Sequence, residues 1–204
     1  MGKVDDAGDL LRFIELKKQK FFYVNGNSVC CIIRNLKFLY CSVVASENLL
    51  VCAVRQLKLM NSNGYRNEII AYYREHLKEE RGHAKWLADD LAAHGVFVTE
   101  HDSDAVRMIG SQYYMIFHES PYCLLGYMAV VEGVPTPLAE IEKLEKIYGT
   151  KLFRFSRFHA VKDMEHRKDI FKHIGDADAL LAKKIEHSAI VTLEHIESAS
   201  KNWR

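Results

Sequence analysis

Apolar side chains recur along this chain at intervals of three and four residues, and nowhere alternate for more than a few positions. Leu10, Leu11, Phe13, Ile14 and Leu16 form such a stripe and predict a first helix over residues 8–24. The polar run at 25–28 reads as a turn, with Asn27 or Ser28 placed to cap the next element. Apolar helices are expected over 29–45 and 46–60, with Ser46 as the cap between them. A second polar run at 61–64 breaks the chain, and one long helix is expected over 66–94, ending at His94-Gly95. Ser103 or Asp104 opens a helix to about residue 118, and a further apolar helix covers 121–132. Helices at about 137–148, 151–174 and 176–200 complete the pattern. It describes a single all-α domain over residues 1–204, a bundle of about seven to eight helices.

Composition narrows the partners. Lys and Arg number 28 against 27 Asp and Glu, so neither nucleic acid nor an anionic membrane surface is expected. Apolar runs such as 42–54 are broken by polar residues before about 20 accumulate, so no membrane span is expected. The first ten residues are polar and acidic, unlike a signal peptide, and Asp6 stands where a myristoylation signal carries Ser or Thr. Cys30, Cys31, Cys41, Cys52 and Cys123 include no CxxC pair and read as reduced, mostly buried thiols of a cytoplasmic protein.

Candidate chemistry concentrates in three stretches. In HLKEERGH, His76 and His83 flank Glu79 and Glu80; alone, this stretch reads as a solvated helix face sooner than as a metal site. In FHAVKDMEHRKDIF, His159, Asp163 and His166 fall at roughly 0°, 40° and −20° around a helix. The two histidines are then ~10.5 Å apart along the axis, too far for one ion. They can bracket two ions about 3.5–4 Å apart. Imidazole and carboxylate ligands with open positions suit iron or manganese. Glu80 and His83 form Glu-x-x-His, the pair that di-iron carboxylate bundles project into their core, and Asp163 and His166 are its aspartate counterpart. Glu132 is the only charge in CLLGYMAVVEG and is costly to bury unless paired or metal-bound. Surface ion pairs would explain the later trio, and a helix end would explain Glu132. The conjunction on three helices favours a metal site. With Glu80 and His83 facing inward, His76 shares their face, while Lys78, Glu79 and Arg81 stay largely wet. Glu132→Ala is then expected to lower bound iron and to raise metal-free stability by thinning buried negative charge.

From about residue 66 to 174 the chain resembles the heme-oxygenase-like diiron oxidases. The resemblance rests on EERGHAKWLADDL, then GSQYYMIFHESPYCLLGYMAVVEG, then HAVKDMEH: a carboxylate and histidine, a lone glutamate, and His-x3-Asp-x2-His. It implies a heme-oxygenase-like helical bundle and two iron ions, or mixed iron and manganese, with dioxygen as co-substrate. It implies desaturation, hydroxylation or carbon–carbon cleavage of a small amino-acid-like or fatty-acid-like substrate. Glu80, His83 and His159 would hold mainly one ion and Asp163 and His166 the other, with Glu132 shared. Tyr113, Tyr114 and His118 would line or tune the pocket, and Glu132, His118 and Tyr114 would carry catalysis. One departure concerns the first carboxylate, which some family members place where this chain has His76; the role passes to Glu80, with His76 and Glu79 remaining candidates. A homodimer is compatible with this reading.

Two rivals remain. Thiaminase-II-like hydrolases share this fold and carry a nucleophilic cysteine followed four residues later by a tyrosine, a spacing met by Cys123 and Tyr127. That chemistry has no use for His159, Asp163 and His166 together. A non-catalytic helical metal-binding protein is the other; a ferritin-like subunit would draw a lone glutamate from an early helix, where Glu15 and Glu47 stand, but would not employ His159. A heme enzyme is disfavoured because no histidine precedes His76.

Overall fold

The described residues, 7–22, 28–98 and 102–202 of a computed structural model, fold into nine α-helices and two short 3-10 turns, with no strand among them. In chain order these are α1 (Ala7–Phe22), α2 (Val29–Leu59), α3 (Gly64–Glu80), α4 (His83–Ala92) and α5 (Ser103–His118). After the turn Pro121–Cys123 come α6 (Leu124–Val131) and α7 (Leu138–Tyr148); after the turn Thr150–Phe153 come α8 (Arg154–Gly175) and α9 (Ala179–Asn202). Of the turn expected at 25–28, only Ser28 lies within the described residues, and its hydroxyl accepts from Cys31 N at 3.3 Å as the α2 cap. Asn63 caps α3, and Asp102 rather than Ser103 or Asp104 caps α5, accepting from the amides of Asp104 and Ala105.

Two expected boundaries move, and both moves shape the centre of the molecule. The helices expected at 29–45 and 46–60 are one 31-residue helix. Ser46 caps nothing: its hydroxyl donates to the Val43 carbonyl at 2.9 Å, an interior bond that leaves the helix running. Joined in this way, α2 is long and apolar enough by length and composition to cross a membrane, with a mean hydropathy of 1.5 over its best window. Its buried residues, from Leu36 to Leu57, pack against α3, α4 and α5.

Conversely, the single helix expected over 66–94 is broken after Glu80. Gly82 takes φ 87°, a left-handed conformation that glycine adopts without a Cβ clash, and the Trp86 amide restarts the ladder on the Gly82 carbonyl. Glu80 therefore ends α3 and His83 begins α4, so they do not share one helix face.

The apolar α6 is the innermost element, with every residue from Leu124 to Val130 buried. It crosses α9 so closely at Gly126 that a Cβ there would collide with the Ile185 carbonyl. This crossing delivers Glu132, one residue past α6, between α3 and α8.

Candidate metal centre

Six candidate ligands come from two helices. His76, Glu79 and Glu80 occupy the last turns of α3, and His159, Asp163 and His166 the middle of α8. Both helices are poor in apolar residues here, yet His76, Glu80, Asp163 and His166 are each at most 5% exposed. Such burial is tolerated only where the groups neutralise one another or hold a cation.

They gather in two groups. In the first, atoms of Glu80, His83 and His159 lie within 4.8 Å of one another; in the second, atoms of His76, Glu79 and His166 do so. Each has two imidazoles meeting edge to face, His83 with His159 at 4.9 Å and His76 with His166 at 4.7 Å between ring centres. In the first group the Gly82 break returns His83 Nδ1 to 3.3 Å from Glu80 Oε1. The other Glu80 oxygen lies 3.2 Å from the Ser46 hydroxyl, whose one hydrogen it shares with the Val43 carbonyl. His159 Nδ1 faces Asp163 Oδ1 at 2.9 Å, which leaves Nε2 as the ring nitrogen facing the group.

Glu132 and Asp163 connect the groups. Glu132 Oε2 stands 3.0 Å from His76 Nε2 and 3.3 Å from His166 Nδ1. Asp163 Oδ1 is 2.9 Å from His159 Nδ1 and 3.4 Å from His166 Nδ1. Glu79, expected to stay wet, is 36% exposed but reaches His166 Nε2 at 3.1 Å and Lys162 at 3.2 Å.

The electrostatics are those of carboxylates sharing protons with imidazoles. Burial pushes the Glu132 carboxyl up, but His76 and His166 outweigh it and hold it well below the usual carboxylate range. Burial pulls His166 down, while Asp163 and Glu132 reverse this and bring it up to about 10. His76 and His159 are likewise raised against burial, by Glu132 and Asp163 respectively.

The donors fit a dinuclear metal centre. Glu80 Oε1, His83 Nδ1, His159 Nε2, His76 Nδ1, Glu132 Oε2 and His166 Nδ1 are buried without an aligned hydrogen-bond partner among the described residues. Buried polar atoms are normally satisfied, and six in one cluster fit groups arranged for a cation. Four carboxylates balance the charge of two divalent ions, and oxygen with imidazole ligands suits iron or manganese.

A cavity of about 450 Å³ opens onto the centre, reaching Glu80, Glu132, His159 and Asp163. Ile32, Leu36, Leu39 and Val43 of α2 form one apolar wall, and Ile141 and Leu144 of α7 another. Tyr114 and His118 take no part. Tyr114 is 60% exposed, His118 is exposed, and the two rings pack against each other at a tilt on the outer face of α5. The inner face of α5 is Met108, Gln112, Met115 and Ile116, so the catalytic expectation for Tyr114 and His118 is corrected by the helix phase. Tyr113 is half-buried and packs against the core, away from the cavity lining.

Sequence reasoning missed Lys18. It is 9% exposed at the cavity wall, donates to the carbonyls of Val130 (2.9 Å) and Val134, and burial lowers its pKa to about 8. Within a run of three lysines in four positions, nothing in the sequence separated it from the other two. Cys123 is fully buried outside the cavity lining, its sulfur 3.7 Å from the Lys184 carbonyl, and burial pushes its thiol up to about 12. None of the five cysteines forms a disulfide among the described residues; Cys41 and Cys123 are buried, while Cys30 is exposed.

The fold is heme-oxygenase-like. A TenA homolog from Pseudomonas syringae pv. tomato matches with a TM-score of 0.74 at 11% identity, over 100% of this chain and 97% of that one. A domain of unknown function with a heme oxygenase-like fold from Shewanella denitrificans matches with a TM-score of 0.69 at 13% identity, over 97% and 88%. At such identities the likeness defines the fold alone. No protein-family model matches the chain, and no characterised protein is similar to it in sequence.

Proposed function

We propose that the chain is a non-heme dinuclear iron, or manganese–iron, oxidase or oxygenase that uses dioxygen on a small organic substrate held in the cavity. The observation that carries this reading is the set of six buried donor atoms without aligned partners on α3, α4, α6 and α8. Glu80, His83 and His159 hold one ion; His76, Glu79 and His166 hold the other; Glu132 and Asp163 stand between them. Two such ions supply a place to bind dioxygen and electrons to reduce it.

The remaining work belongs to the chain. Ser46 fixes one oxygen of Glu80, and Asp163 fixes His159 through Nδ1, so each ligand presents a single atom. The apolar walls from α2 and α7 fit the apolar part of an amino-acid-like or fatty-acid-like substrate. Lys18 places a cation in the same wall, within the field of Asp163 and Glu132. The hydrolase alternative needs a reactive thiol in the cavity, and Cys123 supplies neither the place nor the thiolate.

Iron per chain after anaerobic loading, followed by oxygen uptake on adding candidate substrates, tests the reading. Two irons with substrate-dependent uptake support it. A chain that takes up no iron refutes it.

A further inference from the structure

At the far end of the same two ligand-bearing helices, a second cluster of donors stands apart from the centre. Glu68 lies in the second turn of α3, His173 in the last turn of α8, and Asp176 caps α8. One ligand atom from each lies within 4.8 Å of the others. We propose that Glu68, His173 and Asp176 form a peripheral site for a divalent transition-metal ion that clamps the start of α3 to the end of α8.

Three observations carry this beyond a chance grouping of surface acids. His173 is only 8% exposed, and its Nδ1 is buried with no hydrogen-bond partner among the described residues. Leaving such a nitrogen unmatched is costly, and a cation nearby accounts for it. The residue is also held in place: the Tyr72 ring packs against its imidazole at a tilt, 4.7 Å between ring centres, and the Tyr65 hydroxyl donates to its backbone carbonyl at 2.7 Å. Finally, the carboxylates of Glu68 and Asp176 form no ion pair with Lys or Arg among the described residues, and both face the His173 imidazole.

The location favours a cation for an independent reason. Asp176 caps the C-terminal end of α8, the negative end of the helix dipole. Burial, with Lys172 beside it, lowers the His173 pKa, so the imidazole is in the neutral form a metal binds. One imidazole and two carboxylates leave positions for water and suit zinc or manganese. A bound ion would fix α3 against α8, the helices that carry His76 and His166, and Tyr72 touches the rings of both His76 and His173.

The test is zinc stoichiometry of the full chain, measured by competition with a chromophoric chelator. Glu68 and Asp176 are exposed, so the Glu68→Gln, Asp176→Asn double variant keeps its fold, which circular dichroism verifies. This variant is expected to bind one zinc fewer per chain than the parent and to lose the matching part of the zinc-dependent rise in Tm. Glu68→Gln alone, which leaves the Asp176 cap of α8 in place, is expected to weaken the same equivalent. The difference of one ion is expected whether or not the main centre binds metal, so its outcome is separate from that of the proposed function. Equal zinc stoichiometry in parent and double variant overturns the site.

Discussion

His76 Nε2 stands 3.0 Å from Glu132 Oε2, tying the last turns of α3 to the residue that follows α6. From sequence, Glu132 is an isolated buried charge whose removal should relieve strain. The contact reverses that sign. Glu132 lies between the imidazoles of His76 and His166, and all three are more stable for it. Glu132→Ala leaves two buried imidazoles without their counter-ion. It is expected to lower metal-free stability by about 3 kcal/mol at neutral pH, measured by urea unfolding. Because the folded-state pKa of Glu132 is depressed, its contribution is present above the ordinary carboxylate range and is lost as pH falls below it. A more stable metal-free variant would show that the paired geometry does not form.

Cys123→Ser is expected to leave metal content and oxygen uptake unchanged while lowering stability by about 2 kcal/mol. The thiol packs in a fully buried position against the Lys184 carbonyl, outside the cavity lining. Loss of turnover at unchanged stability would move the assignment to the hydrolase.

Gly126→Ala tests the element that positions Glu132. Its Cβ would collide with the Ile185 carbonyl and crowd the Ala189 amide, so α6 and α9 must separate. A loss of about 3 kcal/mol is expected, with weaker metal binding as Glu132 shifts. Unchanged stability and metal content would contradict the close crossing.

Lys18 predicts a pH dependence. Its pKa is lowered by burial from the usual 10.5 to about 8 in the folded chain. Below pH 8 it is charged in both states and the burial cost is fully present. As pH rises from about 8 to 10.5, the folded chain releases this proton while the unfolded chain retains it, so stability rises. Lys18→Met is expected to abolish this increment, on the order of 3 kcal/mol, in metal-free chain. Parallel stability curves for parent and variant over that range would place Lys18 in water.

The legible parts of the molecule were those whose signal is local. His159, Asp163 and His166 share a face because α8 runs unbroken through them, so the three-and-four spacing translated directly into space. Glu132 was visible as the lone charge in an apolar run. The illegible parts depended on single residues whose roles are set by tertiary neighbours. Ser46 has the chemistry of a cap, but α2 runs through it, and its hydroxyl sits between the Val43 carbonyl and the Glu80 carboxylate at the end of α3. Gly82 reads as a tolerable helix glycine, yet its left-handed turn sends His83 onto another helix. Glu79 and Lys18 resemble wet neighbours in sequence, and only packing shows which charged side chain turns inward.

The division of ligands yields the sharpest expectation. Sequence reasoning ranks His76→Ala below Glu80→Ala, because it passes the role of the first carboxylate to Glu80 and keeps His76 as a further candidate on the same face. In the structure each residue belongs to a different group of donors, His76 with Glu79 and His166, Glu80 with His83 and His159. His76→Ala and His83→Ala are therefore each expected to lower iron by about one ion per chain, from opposite halves of the centre. Glu79→Gln should follow the first pattern and Glu80→Gln the second. Combining His76→Ala with Glu79→Gln should cost little beyond the single ion, whereas combining His76→Ala with His83→Ala should remove both. The measurement is iron per chain after anaerobic loading, with circular dichroism confirming the fold. Full iron occupancy in a His159→Ala, His166→Ala chain, which lacks one imidazole from each group, would sink the dinuclear site.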